Sequence, residues 1–274
     1  MEFGTVLTAL RQRKPLVQCI TNFVTVNDCA NIILAAGGSP TMAEHPLEVA
    51  EAVRKAQALV CNLGAIDKVE AMILAGKEAN RLSIPVILDP VGAGGTQFRR
   101  DAVKRLLEEV HFSVIRGNAS EIRHLAGQKT TGSGVDVSIG DEITEENLDG
   151  AIQMAADLAA QLDTVIAISG KLDVISDGRR TCVLRNGCAT MTRITGSGCM
   201  LTALIGAFCG ANEDPFHAAC TAVATMGISG EIAQERRLRS GTGNATFRND
   251  LIDAVFNLSE EQLEKGVRYE IFKR

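Results

Sequence analysis

The chain of 274 residues has no tryptophan and a single tyrosine. A surface that stacks nucleic-acid bases therefore has little aromatic material to draw on. An excess of basic residues is also missing. The formal net charge is −5, the wrong sign for binding driven by phosphate neutralisation. No stretch approaches the roughly 18 consecutive apolar residues that a bilayer span requires. The N-terminal segment MEFGTVLTALRQRK has neither a long apolar region nor a small-residue cleavage site, so a secretory signal is not expected. Among the eight cysteines none forms a C-x-x-C pair, which argues against structural zinc. Most lie in apolar runs, where cysteine behaves as a small hydrophobe, and disulfides are not expected in a cytoplasmic chain of this size. The reading is a cytoplasmic protein with no nucleic-acid and no membrane partner.

Hydrophobic residues make up 46% of the chain, enough for a sizeable core. Apolar runs of strand length alternate with amphipathic helical stretches. Strands are expected at 16–20, 58–62, 85–88, 112–116 and 164–168, and helices at 24–36, 67–82, 99–110, 119–126 and 144–161. The strands are rich in valine and isoleucine and apolar on both faces, as in a parallel sheet covered by helices. After Gly170 the pattern changes. The turn Asp177-Gly178 signals a hairpin joining 174–176 to 181–184. Helices are expected at 199–210, 216–235, 246–258 and 259–266, the last with Ser259 as N-cap and Gln262 three residues on. The tail 267–272 alternates like a short edge strand. The segment 127–141, rich in Gly, Ser and Thr, reads as a flexible loop. With no repeat and no break in composition, residues 1–274 read as one α/β domain, an open sandwich built from βαβ units.

Ligands of such sheets bind beyond the carboxyl ends of the strands, and five segments there carry chemistry. Thr195-Gly196-Ser197-Gly198-Cys199 precedes the apolar helix MLTALIGAF. Its glycines allow a sharp turn and close approach, and the free N–H groups of the first helical turn form an anion site suited to phosphate. The competing reading is a glycine-rich loop before a buried helix, with Cys199 a small core residue. Asp89-Pro90-Val91-Gly92-Ala93-Gly94-Gly95-Thr96 places a carboxylate at a strand end, either to hold Mg²⁺ through water or to cap a tight turn. In Arg116-Gly117-Asn118-Ala119-Ser120-Glu121, the guanidinium fork suits phosphate oxygens, while Asn118 and Glu121 also have the marks of a helix start. Ala167-Ile168-Ser169-Gly170-Lys171 taken alone is a structural turn. The fifth segment has two parts. Residues 21–31, TNFVTVNDCAN, are unusually polar for a helix start, and residues 37–43, GGSPTMA, follow them. By composition alone Met42 there is core filler.

Together these ordered motifs resemble the hydroxyethylthiazole kinase family of the ribokinase-like superfamily, over nearly the whole chain from Val17 to the helix at 216–235. The resemblance implies a ribokinase-like three-layer α/β/α sandwich with a central, mostly parallel sheet. It also implies transfer of the γ-phosphoryl of ATP to the primary hydroxyl of 4-methyl-5-(2-hydroxyethyl)thiazole. Most ribokinase-like kinases carry a catalytic Asp at the end of the glycine-rich loop; here Cys199 stands in that place, as in the narrower family. By resemblance Asp89 and Glu121 organise Mg²⁺, and Arg116, Ser169 and Gly198 contact ATP. Met42, Gly196, Asn22 and Asn27 contact the thiazole alcohol. The helix N-terminus is expected to lower the Cys199 thiol pKa, making it a thiolate base or a group that positions the hydroxyl. The resemblance further implies a homotrimer with sites at subunit interfaces. Three alternatives stand beside it. One is a hydroxymethylpyrimidine kinase of the same fold. A second is a dinucleotide-binding oxidoreductase, disfavoured because residues 18–27 contain no glycine. The third is a nucleotide sensor without turnover.

Overall fold

The computed structural model describes residues 1–127 and 142–274; the loop expected at 127–141 lies, apart from Gly127, outside the described residues. A helix opens the chain, α1 (Phe3–Arg13), followed by β1 (Leu16–Ile20), α2 (Val26–Ala36), β2 (Ser39–Thr41), α3 (Val49–Val53) and β3 (Ala58–Asn62). Next come α4 (Val69–Arg81), β4 (Val86–Asp89), α5 (Gln97–Glu109), β5 (Val114–Asn118), α6 (Ala119–Leu125), α7 (Leu148–Leu162) and β6 (Val165–Ser169). The chain ends with β7 (Asp173–Ser176), β8 (Arg180–Leu184), α8 (Ser197–Cys209), α9 (Pro215–Ser240), α10 (Asn244–Asn257), α11 (Glu260–Gly266) and β9 (Tyr269–Lys273).

Among the described residues nine strands form one sheet in the order β2-β1-β3-β4-β5-β6-β7-β8-β9. The first six run parallel and the last three are antiparallel, so the sheet is mostly parallel, as expected. Alternate side chains of one strand enter different cores. Val17, Val60, Ile87 and Val114 pack under α1, α2, α8, α9 and α10, while Leu59, Leu88, Ile115 and Ile166 pack under α4, α5 and α7. These are the two apolar layers that an α/β/α sandwich needs. Helix α8 is buried along its length from Met200 to Cys209 and lies directly on the sheet. A Cβ on Gly206 would stand 2.5 Å from Val60 Cγ2, so this helix can sit that close only with glycine there.

Predicted signals appear as built features. Gly178 at the β7–β8 turn has φ +84°, and Asp177 Oδ1 accepts from the N–H groups of Arg179 and Arg180. Ser259 and Gln262 form a reciprocal capping box at α11. β9 pairs with β8 as the edge strand expected of the tail. Helix α1, the edge strand β2 and the five-residue helix α3 are additions to the sequence-based reading.

The parallel register decides what meets at the carboxyl end of the sheet. It sets Asn62 beside Asp89 and Asn118 beside Ser169. The loops after β1, β3, β4, β5 and β6 therefore open onto one edge, and the first turn of α8 reaches it as well.

Candidate active site

Asp89 ends β4 and is 1% exposed. Its Oδ2 accepts from Thr202 Oγ1 at 2.8 Å and from Asn62 Nδ2 at 3.0 Å. Arg116 Nη1 lies 3.6 Å from the same oxygen. Oδ1 is buried and has no hydrogen-bond partner among the described residues. Burial raises the pKa of this carboxyl, opposed first by the Arg116 charge and then by the two donors.

Arg116 comes from β5, on the neighbouring strand. Its Nη2 bonds to Ser169 Oγ at the end of β6, and its Nε has no partner among the described residues. The guanidinium lies against the first turn of α8: a Cβ on Gly198 would stand 2.5 Å from Nη1. Gly196 is the N-cap of α8, with φ +85° and no side-chain cap over the first-turn amides. A Cβ there would stand 2.5 Å from Thr25 Cγ2. The glycines of this loop are thus required by contact, and they leave the first-turn amides of α8 without a side-chain cap.

Glu121 has the helix-start role that its motif allowed. Its Oε2 accepts from Asn118 N at 2.8 Å, closing a capping box at the start of α6. Its Oε1 accepts from Gly92 N at 2.9 Å, tying the Asp-Pro-Val loop to that helix. Burial and the nearby Asp89 charge push its pKa up to about 7.

Cys199 Sγ receives Asn22 Nδ2 at 3.4 Å and Asn62 Nδ2 at 3.3 Å. The expected lowering of its pKa is corrected by the structure. Burial, then the Asp89 charge, raise the thiol pKa, and bonds to Thr25, Asn62 and Asn22 offset this only in part. A helix terminus supplies partial charge only, and desolvation of the thiolate outweighs it. Cys199 is therefore a thiol near neutral pH, suited to positioning.

The other expected residues divide. Asn22 joins the cluster, and its Oδ1 accepts from Thr25 N and Oγ1. Met42 follows β2, half-buried against the core face that also packs Cys199. Asn27 stands apart: it is exposed in the first turn of α2 and accepts from Asn31 Nδ2 one turn on. Sequence reasoning missed Asn62, Thr202 and Asp173. A polar residue closing the apolar strand ALVCN was a usable signal for Asn62; Thr202, inside an apolar helix, offered none. A concavity of about 670 Å³ at the opposite end of the sheet, lined by Arg13, Gln57, His111 and Glu213 among others, holds one acid and no glycine-rich helix start.

Asp173 opens β7 behind Arg116. Its Oδ1 accepts from Gly170 N at 2.9 Å, and burial pushes its pKa up to about 7, with that donor and the Arg116 charge opposing. A raised pKa means the native state favours the protonated acid. Its stabilisation is fully present below about pH 4 and is lost as pH rises through about 7. Asp173→Asn keeps the acceptor for Gly170 and removes the titration. We expect the variant to gain about 2 kcal/mol over the wild type between pH 5 and pH 8. Urea unfolding at both values checks this; equal offsets at the two would count against it.

Among the described residues no three His, Cys, Asp or Glu side chains form a metal cage. The unpartnered Asp89 Oδ1 does fit a hard cation held through water by one or two carboxylates, with phosphate oxygens supplying the rest.

A model of the hydroxyethylthiazole kinase family matches residues 7–261. A curated relative from Clostridium beijerinckii named hydroxyethylthiazole kinase is 49% identical over 267 residues, covering 97% of this chain and 95% of its own. One of the same name from Thermoanaerobacter pseudethanolicus is 47% identical, with coverages of 96% and 97%. The solved structure of a hydroxyethylthiazole kinase protein from Pyrococcus horikoshii superposes with a TM-score of 0.87 at 33% identity, covering 99% of both chains. A pyridoxal kinase from Staphylococcus aureus, solved with ADP, superposes at 0.56 with 14% identity, over 79% of this chain and 87% of its own, a likeness of fold.

Proposed function

The chain belongs to the hydroxyethylthiazole kinase family, and from that premise we propose how its residues carry the reaction. It transfers the γ-phosphoryl of ATP to the primary hydroxyl of 4-methyl-5-(2-hydroxyethyl)thiazole, giving the thiazole phosphate from which thiamine is built. The observation that carries the assignment of roles is the convergence at one sheet edge of Asp89, Arg116, Cys199 and an uncapped helix start. The amides of residues 196–199 take up charge developing on the transferred group. Arg116, steered by Ser169, meets ATP phosphates as a planar fork. Asp89 and Glu121 would hold Mg²⁺ through water, and that ion would neutralise charge on the phosphates. Cys199 orients the hydroxyl, since phosphoryl transfer depends mainly on positioning and electrostatics. Met42 and Asn22 line the thiazole side.

Asn27 takes part only if a second copy covers this face. Phe23, four residues before it, is 89% exposed, and Val24 59%, apolar surface that supports a homotrimer with sites at subunit interfaces. One sheet running through the chain supports a single kinase domain. All eight cysteines are free, which supports a cytoplasmic location.

ADP release with Mg²⁺ tests the reading, comparing the thiazole alcohol with hydroxymethylpyrimidine, alongside light scattering. We expect turnover at least about tenfold faster with the thiazole, and a mass three times that of one chain. Preference for the pyrimidine would move the substrate assignment, ATP binding without turnover would favour a sensor, and a monomer active at full rate would remove the interface role of Asn27.

A further inference from the structure

The side chain of Asn62 lies between two groups placed at the reacting centre, and its hydrogen bonds account for all of its capacity. Nδ2 donates to Asp89 Oδ2 at 3.0 Å and to Cys199 Sγ at 3.3 Å. Oδ1 accepts from Gly64 N at 2.9 Å and from Asn22 Nδ2 at 3.2 Å. A primary amide offers two N–H donors and one carbonyl with two lone pairs, so nothing is left unused. Turning the amide over would set its oxygen against the Asp89 carboxylate and its NH₂ against the Gly64 N–H, both repulsive. The partners therefore dictate one orientation. The fit is also close: Asn62 is 1% exposed, and a Cβ on Gly64 would stand 2.6 Å from its Oδ1.

Cys199 Sγ receives a second N–H, from Asn22. Thr25 bonds to the same sulfur, so three polar side chains fix its place. Asn22 comes from the loop after β1 and Asn62 ends β3, so two separate elements hold the sulfur.

We propose that Asn62 is a positioning residue for phosphoryl transfer: it holds Cys199 and Asp89 in one fixed relation and, with Asn22, fixes the sulfur of Cys199 in the place from which it orients the incoming hydroxyl. This rests on the reading of the cleft as the site of transfer. Loop fastening alone would make Asn62 matter for stability; positioning makes its effect on rate pass through Cys199.

A double-mutant cycle separates the two. Asn62→Ala, Cys199→Ala and the double variant are compared with the wild type in kcat, in KM for ATP and alcohol, and in melting temperature. We expect Asn62→Ala to lower kcat by about 10- to 100-fold while KM for ATP stays within about threefold. In the double variant the losses do not multiply, and kcat lies within about threefold of the slower single variant. A kcat for Asn62→Ala within about threefold of wild type, or losses that multiply, would overturn the proposal. If Asn62→Ala does not fold, Asn22→Ala removes the other donor from the same sulfur at a half-buried position, and the same cycle decides. The cycle uses whichever alcohol the wild type phosphorylates, so a wrong substrate shows in the wild type alone and a wrong role for Asn62 only in the variants.

Discussion

Gly196→Ala should lower kcat by at least about a hundredfold, and destabilise the protein, although the change adds a single methyl group. Two independent observations meet at this residue. Its φ of +85° lies in the left-handed region, where an L side chain costs about 1–2 kcal/mol. Its Cβ would also stand 2.5 Å from Thr25 Cγ2 and 3.1 Å from Thr25 Cβ. Thr25 cannot retreat easily, because it is 3% exposed and its hydroxyl is bonded to Asn22. The clash is relieved only by moving the start of α8 away from the start of α2. That displaces the first-turn amides and Cys199 together, and a shift of about 1 Å at a reacting centre is worth about 10² in rate. We expect kcat to fall far more than the affinity for ATP, with the melting temperature lower by roughly 4–8 °C, from about 2 kcal/mol in a chain of this size. Steady-state kinetics and calorimetry on the purified variant check both. Activity within about threefold of wild type would show that the loop does not hold the transferred group.

The fold was legible because its strands are buried on both faces. Runs such as LVQCI, ALVCN and VIAIS are apolar but for one residue each, and flanking helices leave no other place for them. Helix α1 escaped although Phe3, Val6, Leu7 and Leu10 follow helical spacing and are buried. Strand β2 escaped for a physical reason. Three residues containing proline make a poor strand signal, and Pro40 is tolerated because β2 is an edge strand pairing only with β1.

The site was legible where glycine or charge marks it and obscure where burial decides. Asp89, Arg116 and the loop at Gly196 stand out in any reading of strand ends. The protonation of Cys199 does not, because the opposing terms are a helix start visible in sequence and a desolvation visible only in three dimensions. Asn27 has the same origin. The resemblance implied a contact with the thiazole alcohol, while in the first turn of α2 the residue is exposed. Asn62 follows from register, since only the pairing of β3 with β4 sets it beside Asp89.

Asp89→Asn isolates charge from shape at the deepest acid of the cleft. The amide oxygen can accept from Thr202 and Asn62 as Oδ2 does now, and the NH₂ then takes the place of Oδ1, which has no partner among the described residues to be lost. Folding should therefore survive. Removing the negative charge has two consequences for the reaction. Arg116 loses the carboxylate 3.6 Å from its Nη1 and turns more freely toward Ser169 and the nucleotide. The oxygen lone pairs that fit a hydrated cation become N–H donors, which repel it. The first effect spares or strengthens ATP binding; the second removes charge balance needed only as phosphate charge develops. We expect kcat to fall by about 10²–10³-fold, KM for ATP to change by less than about threefold, and the melting temperature to stay within a few degrees. The split between kcat and KM is the decisive reading. A rise in KM alone would make Asp89 a nucleotide-binding residue, and an unfolded variant would mean that its pairing with buried Arg116 is needed for the fold itself.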